Sequence, residues 1–238
     1  MNKLKLAAEY IFNSVNHLIS PNYCLVCSDI IHKENHKYYF LCSKCYDAMP
    51  VTSNISELSA RMSVSALGGE DAVYKAYALM NLKDNKKYMN LVHYLKYNSI
   101  RKIGYHLGKD LGKFLIQSNA VDFDLIIPVP IHHAKKRERG YNQSDYIAKG
   151  VSEILDTAYD CKAAKRIKYT TTQTKLSKDA RNKNVMNIFQ VQVPEKIQNK
   201  SILIVDDVLT TGSTINSLAA ELMERGAKVV SAASIASA

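Results

Sequence analysis

The chain lacks any apolar run approaching the length needed to cross a membrane, and it has no visible repeat or low-complexity segment. Membrane insertion is therefore not expected. Met1 to Ser20 does not read as a signal peptide, because Glu9, Asn13 and Asn16 interrupt its apolar positions. Leu4, Ala8, Ile11, Phe12, Val15, Leu18 and Ile19 instead fit one face of an amphipathic helix, and the expected compartment is the cytoplasm. Two phosphate-binding fingerprints are also missing. No glycine loop is followed by the Lys of a Walker A motif, and no G-x-G-x-x-G opens a dinucleotide fold.

What is present is a 238-residue chain that is 47% apolar, enough for one α/β domain with a small appendage. Its formal charge is +10, with Lys and Arg concentrated in Lys83 to Lys113 and Lys135 to Lys183. Two readings fit that balance: polyanionic partners such as phosphorylated substrates or nucleic acid, or a lysine-rich solvated surface.

The most informative stretch is Ser201 to Thr214, SILIVDDVLTTGST. Ile202 to Val205 is an unbroken apolar run, as expected of a strand buried on both faces of a parallel sheet. The run is expected to stop at two carboxylates, Asp206 and Asp207, followed by the small-residue turn Thr210, Thr211, Gly212, Ser213 and Thr214, and by a helix from Ile215 to Arg225. A helix N-terminus leaves N–H groups unpaired and favours an anion. Gly212 lets the backbone close around a phosphate, and the hydroxyls add donors. The carboxylates beside it suit sugar hydroxyls or hydrated Mg²⁺. A plain strand-to-helix turn with a Ser or Thr cap explains the hydroxyls but not the adjacent aspartates with a glycine. A phosphorylated receiver domain also places paired aspartates after an apolar strand, yet only 31 residues follow Asp207.

A second strand is expected at Phe123 to Pro130, FDLIIPVP, with its prolines at the end where missing N–H groups are tolerated. The segment behind it, IHHAKKRERGYNQ, reads as a cationic loop leading into a helix that ends near Leu155. Arg137, Arg139 and N–H groups near Gly140 are candidates for a pyrophosphate, since guanidinium forks match phosphate oxygens. Strands near Ala72 to Leu79 and Lys228 to Ser234, and helices over Lys86 to Tyr97 and Ile103 to Ile116, complete the expected α/β pattern. Arg166 to Phe189 is long, polar and basic, and a lid over the site is its expected role.

Cys24-x-x-Cys27 and Cys42-x-x-Cys45, separated by 14 residues, have the spacing of a four-thiolate zinc site. Tyr38, Tyr39 and Phe40 are expected to form a short strand into the second pair. A segment this small cannot bury a sufficient core alone, and zinc binding worth about 10–16 kcal/mol would fold it. Disulfide pairing is the competing reading, disfavoured in a reducing cytoplasm. His32 and His36 are conceivable but unneeded ligands, and Cys161 has no sequence partner. The expected organisation is an N-terminal helix over 1–20, a zinc module over 21–50, a Ser-rich connection ending at Gly68-Gly69, and a main domain over 70–238.

VDDVLTTGST resembles the phosphoribosyl pyrophosphate (PRPP) loop of type I phosphoribosyltransferases. The double Cys knuckle, IIPVP, RERGYNQ, and Arg166, Gln173, Thr174, Leu176, Arg181 and Asn184 leading to Phe189 widen the likeness. Together these motifs resemble the ComF/GntX family over nearly the whole chain. The resemblance implies an open parallel sheet with helices on both faces, preceded by a structural zinc module. It also implies PRPP bound with Mg²⁺: Asp206 and Asp207 at the ribose hydroxyls, Thr210 to Thr214 at the 5′-phosphate, and an acceptor that is not defined. A role in natural competence and incoming DNA, with competence machinery as partners, is implied as well. Two functional readings follow. One is a pentosyl transferase; the other is a factor binding single- or double-stranded DNA that keeps the PRPP loop as a ligand sensor.

Overall fold

The computed structural model describes residues 22–31, 37–64, 72–83, 85–97, 101–168 and 188–238. The chain divides into two compact units, one within Met1–Met49 and Lys87–Leu91, the other within Pro50–Lys86 and Val92–Ala238. The N-terminal helix expected over 1–20, His32, His36, Gly68, Gly69 and most of the expected lid lie outside the described residues.

In the smaller unit, the antiparallel bridge Tyr23–Ile30 closes a turn carrying Cys24 and Cys27. The expected Tyr38–Phe40 strand reduces to one isolated bridge, Tyr38–Leu41, because the chain turns there rather than running on. Helix α1, Ser43–Asp47, then starts with Cys42 as its N-cap and carries Cys45 on its buried side. Tyr38 stacks on Phe40 at 5.0 Å. Tyr88 is fully buried and its hydroxyl donates to the carbonyls of Cys45 at 2.9 Å and Ala48 at 2.8 Å. This ties a late residue to the second knuckle, a partnership that no sequence spacing announces.

The larger unit is built on a four-stranded parallel sheet of β1 (Ala76–Asn81), β2 (Leu125–Pro128), β5 (Ser201–Leu209) and β6 (Val229–Ser237), in the order β1-β6-β5-β2. A small antiparallel pair, β3 (Ala164–Arg166) and β4 (Phe189–Val191), stands apart from it. Parallel neighbours require crossovers, and helices supply them. Alternate residues of each strand face opposite layers. Ala76, Ala78, Leu125, Ile127, Ile202, Ile204, Val230 and Ala232 join one core with Leu58 of helix α2 (Ile55–Val64) and with Ile215, Leu218 and Leu222 of helix α7 (Ser213–Glu224). On the other face α4 (Arg101–Gln117) and α6 (Gln143–Leu155) pack on each other and on the strands. Helices therefore cover both faces. Helix α3, Met89–Tyr97, follows a 3₁₀ turn at Lys86–Tyr88 where one continuous helix was expected.

Four further differences from the sequence reading concern the sheet and the elements around the site. β5 does not stop at Val205. It runs on through Asp206 and Asp207 to Leu209, pairing Asp206 with Ser234 and Val208 with Ala236, whereas β2 ends at Pro128. The segment expected as a cationic loop contains helix α5, His133–Arg139, N-capped by His132, whose ring accepts from the Ala134 amide at 3.3 Å. β1 begins at Ala76, four residues later than expected, and α7 begins at Ser213, two residues earlier.

The α4–α6 crossing leaves no room for side chains at its centre. A Cβ on Gly108 would lie 2.3 Å from the Ile147 carbonyl oxygen, and one on Gly150 would lie 2.2 Å from that of Tyr105. Both obstacles are backbone, so neither can step aside. Ala at a helix interior gains up to about 1 kcal/mol over Gly, but overpacking costs about 1–3 kcal/mol, and here the second effect dominates. Gly150→Ala is expected to destabilise the protein by about 1–3 kcal/mol, read as a lower urea midpoint with an unchanged slope. A rise in the midpoint would mean that the helices are not in backbone contact.

Candidate functional site

The carboxyl ends of β2 and β5 are adjacent, with the Val129 amide donating to the Val205 carbonyl at 2.8 Å. In an open α/β sheet this is where ligands sit. Beyond Val205, β5 presents Asp206, half-buried, and Asp207, 7% exposed. Both are held from the first turn of α6. Ser144 Oγ donates to Asp206 Oδ1 at 2.9 Å, and Gln143 Nε2 donates to Asp207 Oδ2 at 3.2 Å. The Asp207 amide adds a third bond to Asp206 Oδ1 at 2.9 Å. A helix N-terminus is electropositive and attracts carboxylates docked there. Asn142, the residue before α6, links the layers: its amide nitrogen donates to the Val129 carbonyl at 3.0 Å and to Asp145 Oδ1 at 2.8 Å. Burial nonetheless raises the Asp145 carboxyl above its ordinary value, against the lowering effects of Asn142 and Lys136.

Gln143 and Ser144 are 3% and 2% exposed, and the buried Gln143 Oε1 has no hydrogen-bond partner among the described residues. Sequence reasoning placed neither in the site. The available signal was polar residues opening an amphipathic helix directly after RGYN, where the apolar pattern alone gives them no reason to be buried. Arg166, at the end of β3, is a further member. Burial lowers its guanidinium below the ordinary value and Asp206 opposes that shift, so a cation stands near the acidic pair.

The loop after β5 exposes Thr210 and Thr211, buries Gly212 and half-buries Ser213 and Thr214. Gly212 has φ +74°, a left-handed conformation that side chains disfavour, and it stands as N-cap of the 12-residue α7. Thr211 Oγ1 lies 3.1 Å from Ser213 Oγ. The loop thus joins two carboxylates to a helix N-terminus without interruption, an arrangement suited to an anion attached to a polyol.

The cationic side is less uniform than the sequence suggested. Gly140 is the left-handed C-cap of α5, with φ +77°, and its amide donates to the Lys136 carbonyl at 2.8 Å. That N–H is therefore engaged in ending the helix and is not offered to a pyrophosphate, a correction to the sequence expectation. The C-terminus of a helix also repels anions, so the arginine side chains must carry any such contact. The Arg137 charge acts on His132, as does that of Arg166, and the Arg139 charge acts on Tyr141. Burial, aided by His133, Arg166 and Arg137, lowers His132 below the usual imidazole range.

In the smaller unit the sulfurs of Cys24, Cys27, Cys42 and Cys45 all lie within 4.8 Å of one another, with Cys27 and Cys42 at 3.7 Å. Tetrahedral thiolates at the ~2.3 Å zinc–sulfur distance stand about 3.8 Å apart, so the set can hold a metal ion. None of the four is bonded to another cysteine in this arrangement. Burial pushes Cys24 up, but backbone donors from Cys42, Cys27 and Val26 reverse the effect and bring it down to about 7. Cys45 is raised, chiefly by burial and then by the neighbouring thiols. Cys161 lies outside the cluster.

The phosphoribosyl transferase domain family matches this chain over residues 143–238. That span begins at the residue holding Asp207 and takes in the acidic pair and its loop. The DNA utilization protein YhgH of Shigella flexneri is 34% identical over 144 residues, covering 59% of this chain and 63% of that protein. Its counterpart in Escherichia coli K12 is 33% identical over the same shares. Competence protein F of Haemophilus influenzae is 37% identical over 108 residues, 45% of this chain and 47% of that one. The chain thus spans less than two thirds of the length of these relatives. Among solved structures, an allosteric regulatory enzyme of purine biosynthesis superposes at 23% identity with a TM-score of 0.41, covering 59% of this chain and 29% of that chain. The phosphoribosyl transferase domain match, the parallel sheet and the four-cysteine cluster agree with the resemblance to the ComF/GntX family, and the chain is similar to these relatives over part of their length.

Proposed function

We propose that the end of β5 binds PRPP with Mg²⁺, and that the protein is a phosphoribosyltransferase acting in natural competence or the handling of incoming DNA. The observation that carries this reading is the clamped acidic pair running directly into the Thr210–Thr214 loop at the α7 N-terminus. Asp206 and Asp207 accept from the ribose hydroxyls, and the loop holds the 5′-phosphate. Arg137 or Arg139 faces the pyrophosphate. Mg²⁺, when bound with PRPP, supplies charge neutralisation for the leaving pyrophosphate. Departure of that group leaves an oxocarbenium-like sugar, which the carboxylates stabilise and an acceptor captures. The chain's residues name no acceptor. The names of the relatives support the competence assignment, and the two Cys-x-x-Cys knuckles support structural zinc and a reducing compartment such as the cytoplasm. The proposed division into a module over 21–50 and a catalytic domain over 70–238 rests on the same features.

A second reading, a DNA-binding competence factor that uses the PRPP loop as a sensor, is favoured by the exposed cations Arg101 and Lys102 at the start of α4, and Lys96 precedes them in sequence. The two readings are compatible, and competence proteins are proposed partners in either.

Three measurements test these assignments. Titration calorimetry with PRPP and Mg²⁺ should give saturable binding, weakened about 10- to 100-fold in Asp207→Asn, the loss of one charged hydrogen-bonding group, while the unfolding transition stays in place. Absence of wild-type binding sinks the PRPP assignment; where binding is found, pyrophosphate release in the same samples separates transferase from sensor. Protein purified without chelator should carry near one zinc per chain, and Cys45→Ser should reduce that content at least tenfold. Scattered occupancy independent of the cysteines would contradict the metal reading. DNA affinity should fall with salt at a log–log slope of about −0.7 to −0.9 per phosphate contact. Charge reversal of Arg101 and Lys102 should weaken all sequences alike; a loss confined to one sequence would point to base contacts instead.

A further inference from the structure

A cleft of about 330 Å³ lies beside the candidate site but shares none of its ligand-facing residues. Its walls are the start of α4, α5 with the turn that follows it, the first two turns of α6 and the segment after α6. Three cations, Arg101, Lys136 and Lys149, line it against a single carboxylate, Asp145. All three cations are exposed. Tyrosines 141, 146 and 159 form the aromatic part of the wall. Neither Asp206, Asp207 nor the Thr210–Thr214 loop reaches it.

Part of the wall is held by contacts within the protein. Tyr141 donates its hydroxyl to the Leu95 carbonyl at 2.6 Å and meets Tyr146 edge-to-face at 5.8 Å. The Arg101 guanidinium stands 5.7 Å from each of those rings, a cation–π arrangement that leaves its N–H fork to reach an anion. Tyr159 is 39% exposed while its backbone runs beside β2, bridged to Ile126 and flanked by the Asp160 amide donating to the Ile126 carbonyl at 3.0 Å. Asp145 is oriented by the Asn142 amide. The side chain therefore has acceptor capacity to spare for a ligand N–H. Rigid aromatic rings suit a planar ring, cations suit a phosphate, and the volume admits one such unit but not a duplex.

We infer that this cleft is a second ligand site, taking one nucleotide with its base against Tyr146 and Tyr159 and its phosphate at Arg101, Lys136 and Lys149. The nucleotide comes either free or as one unit of a single strand, and the same walls recognise both. The site adds to the PRPP reading without depending on it, because the two ligands use different residues.

The experiment titrates the full chain with dAMP in one arm and with a deoxyadenosine tetranucleotide in the other, each with and without saturating PRPP and Mg²⁺. Tyr159→Ala and Lys149→Glu change exposed side chains, so they are expected to leave the thermal transition unmoved. Each should weaken binding about fivefold or more, the lower end for one stacking contact. Asp207→Asn and added PRPP should leave it unchanged. Binding of dAMP with these sensitivities assigns the site to free nucleotides. Binding of the tetranucleotide alone, with the same sensitivities, assigns it to a strand. No binding in either arm overturns the inference. So does binding that Tyr159→Ala and Lys149→Glu leave intact, or binding that PRPP displaces.

Discussion

The candidate site depends on two hydrogen bonds that cross between secondary-structure layers: Ser144 to Asp206 and Gln143 to Asp207. They connect the strand carrying the acidic pair to the first turn of α6. Buried carboxylates cost free energy unless paired with donors, and the electropositive start of a helix reduces that cost further. Those donors reach β5 only because α6 lies close to the sheet, and α6 is set there by its glycine contact with α4. A packing constraint well away from the loop thus determines where the carboxylates point.

The same arrangement explains why β5 outlasts β2. Pro128 closes β2, since a proline offers no ladder N–H, and the chain leaves the sheet toward α5. β5 keeps its partner on the other side, where β6 pairs with it as far as Ser237. The acidic pair consequently lies on strand backbone rather than on a loop, which fixes it more firmly. Strand-borne groups are held more accurately than loop-borne ones.

Much of this was legible in the sequence because its signals are local. Ile202 to Val205 and Leu125 to Ile127 are apolar on both alternating faces, and both proved to be parallel strands. The cysteine pairs were legible by spacing and converge in space. What escaped were features set by partners distant in sequence. The end of β5 depends on β6, so Asp206 looked like a stop. The burial of Gln143 and Ser144 depends on carboxylates more than sixty residues away. The His133–Arg139 helix is only seven residues long and strongly cationic, with no apolar stripe to announce it. Tyr88 joined the cysteine module through hydrogen bonds to Cys45 and Ala48 that periodicity cannot show.

The central claim is that one continuous element, from Asp206 through the first turn of α7, closes around a sugar phosphate. Amide hydrogen exchange on the intact protein, with and without PRPP and Mg²⁺, tests it most directly. The account predicts slowed exchange in peptides spanning 206–216 and in the first turn of α6, where the carboxylates are anchored. Unchanged exchange in both segments at saturating PRPP, or protection appearing only elsewhere, would contradict it.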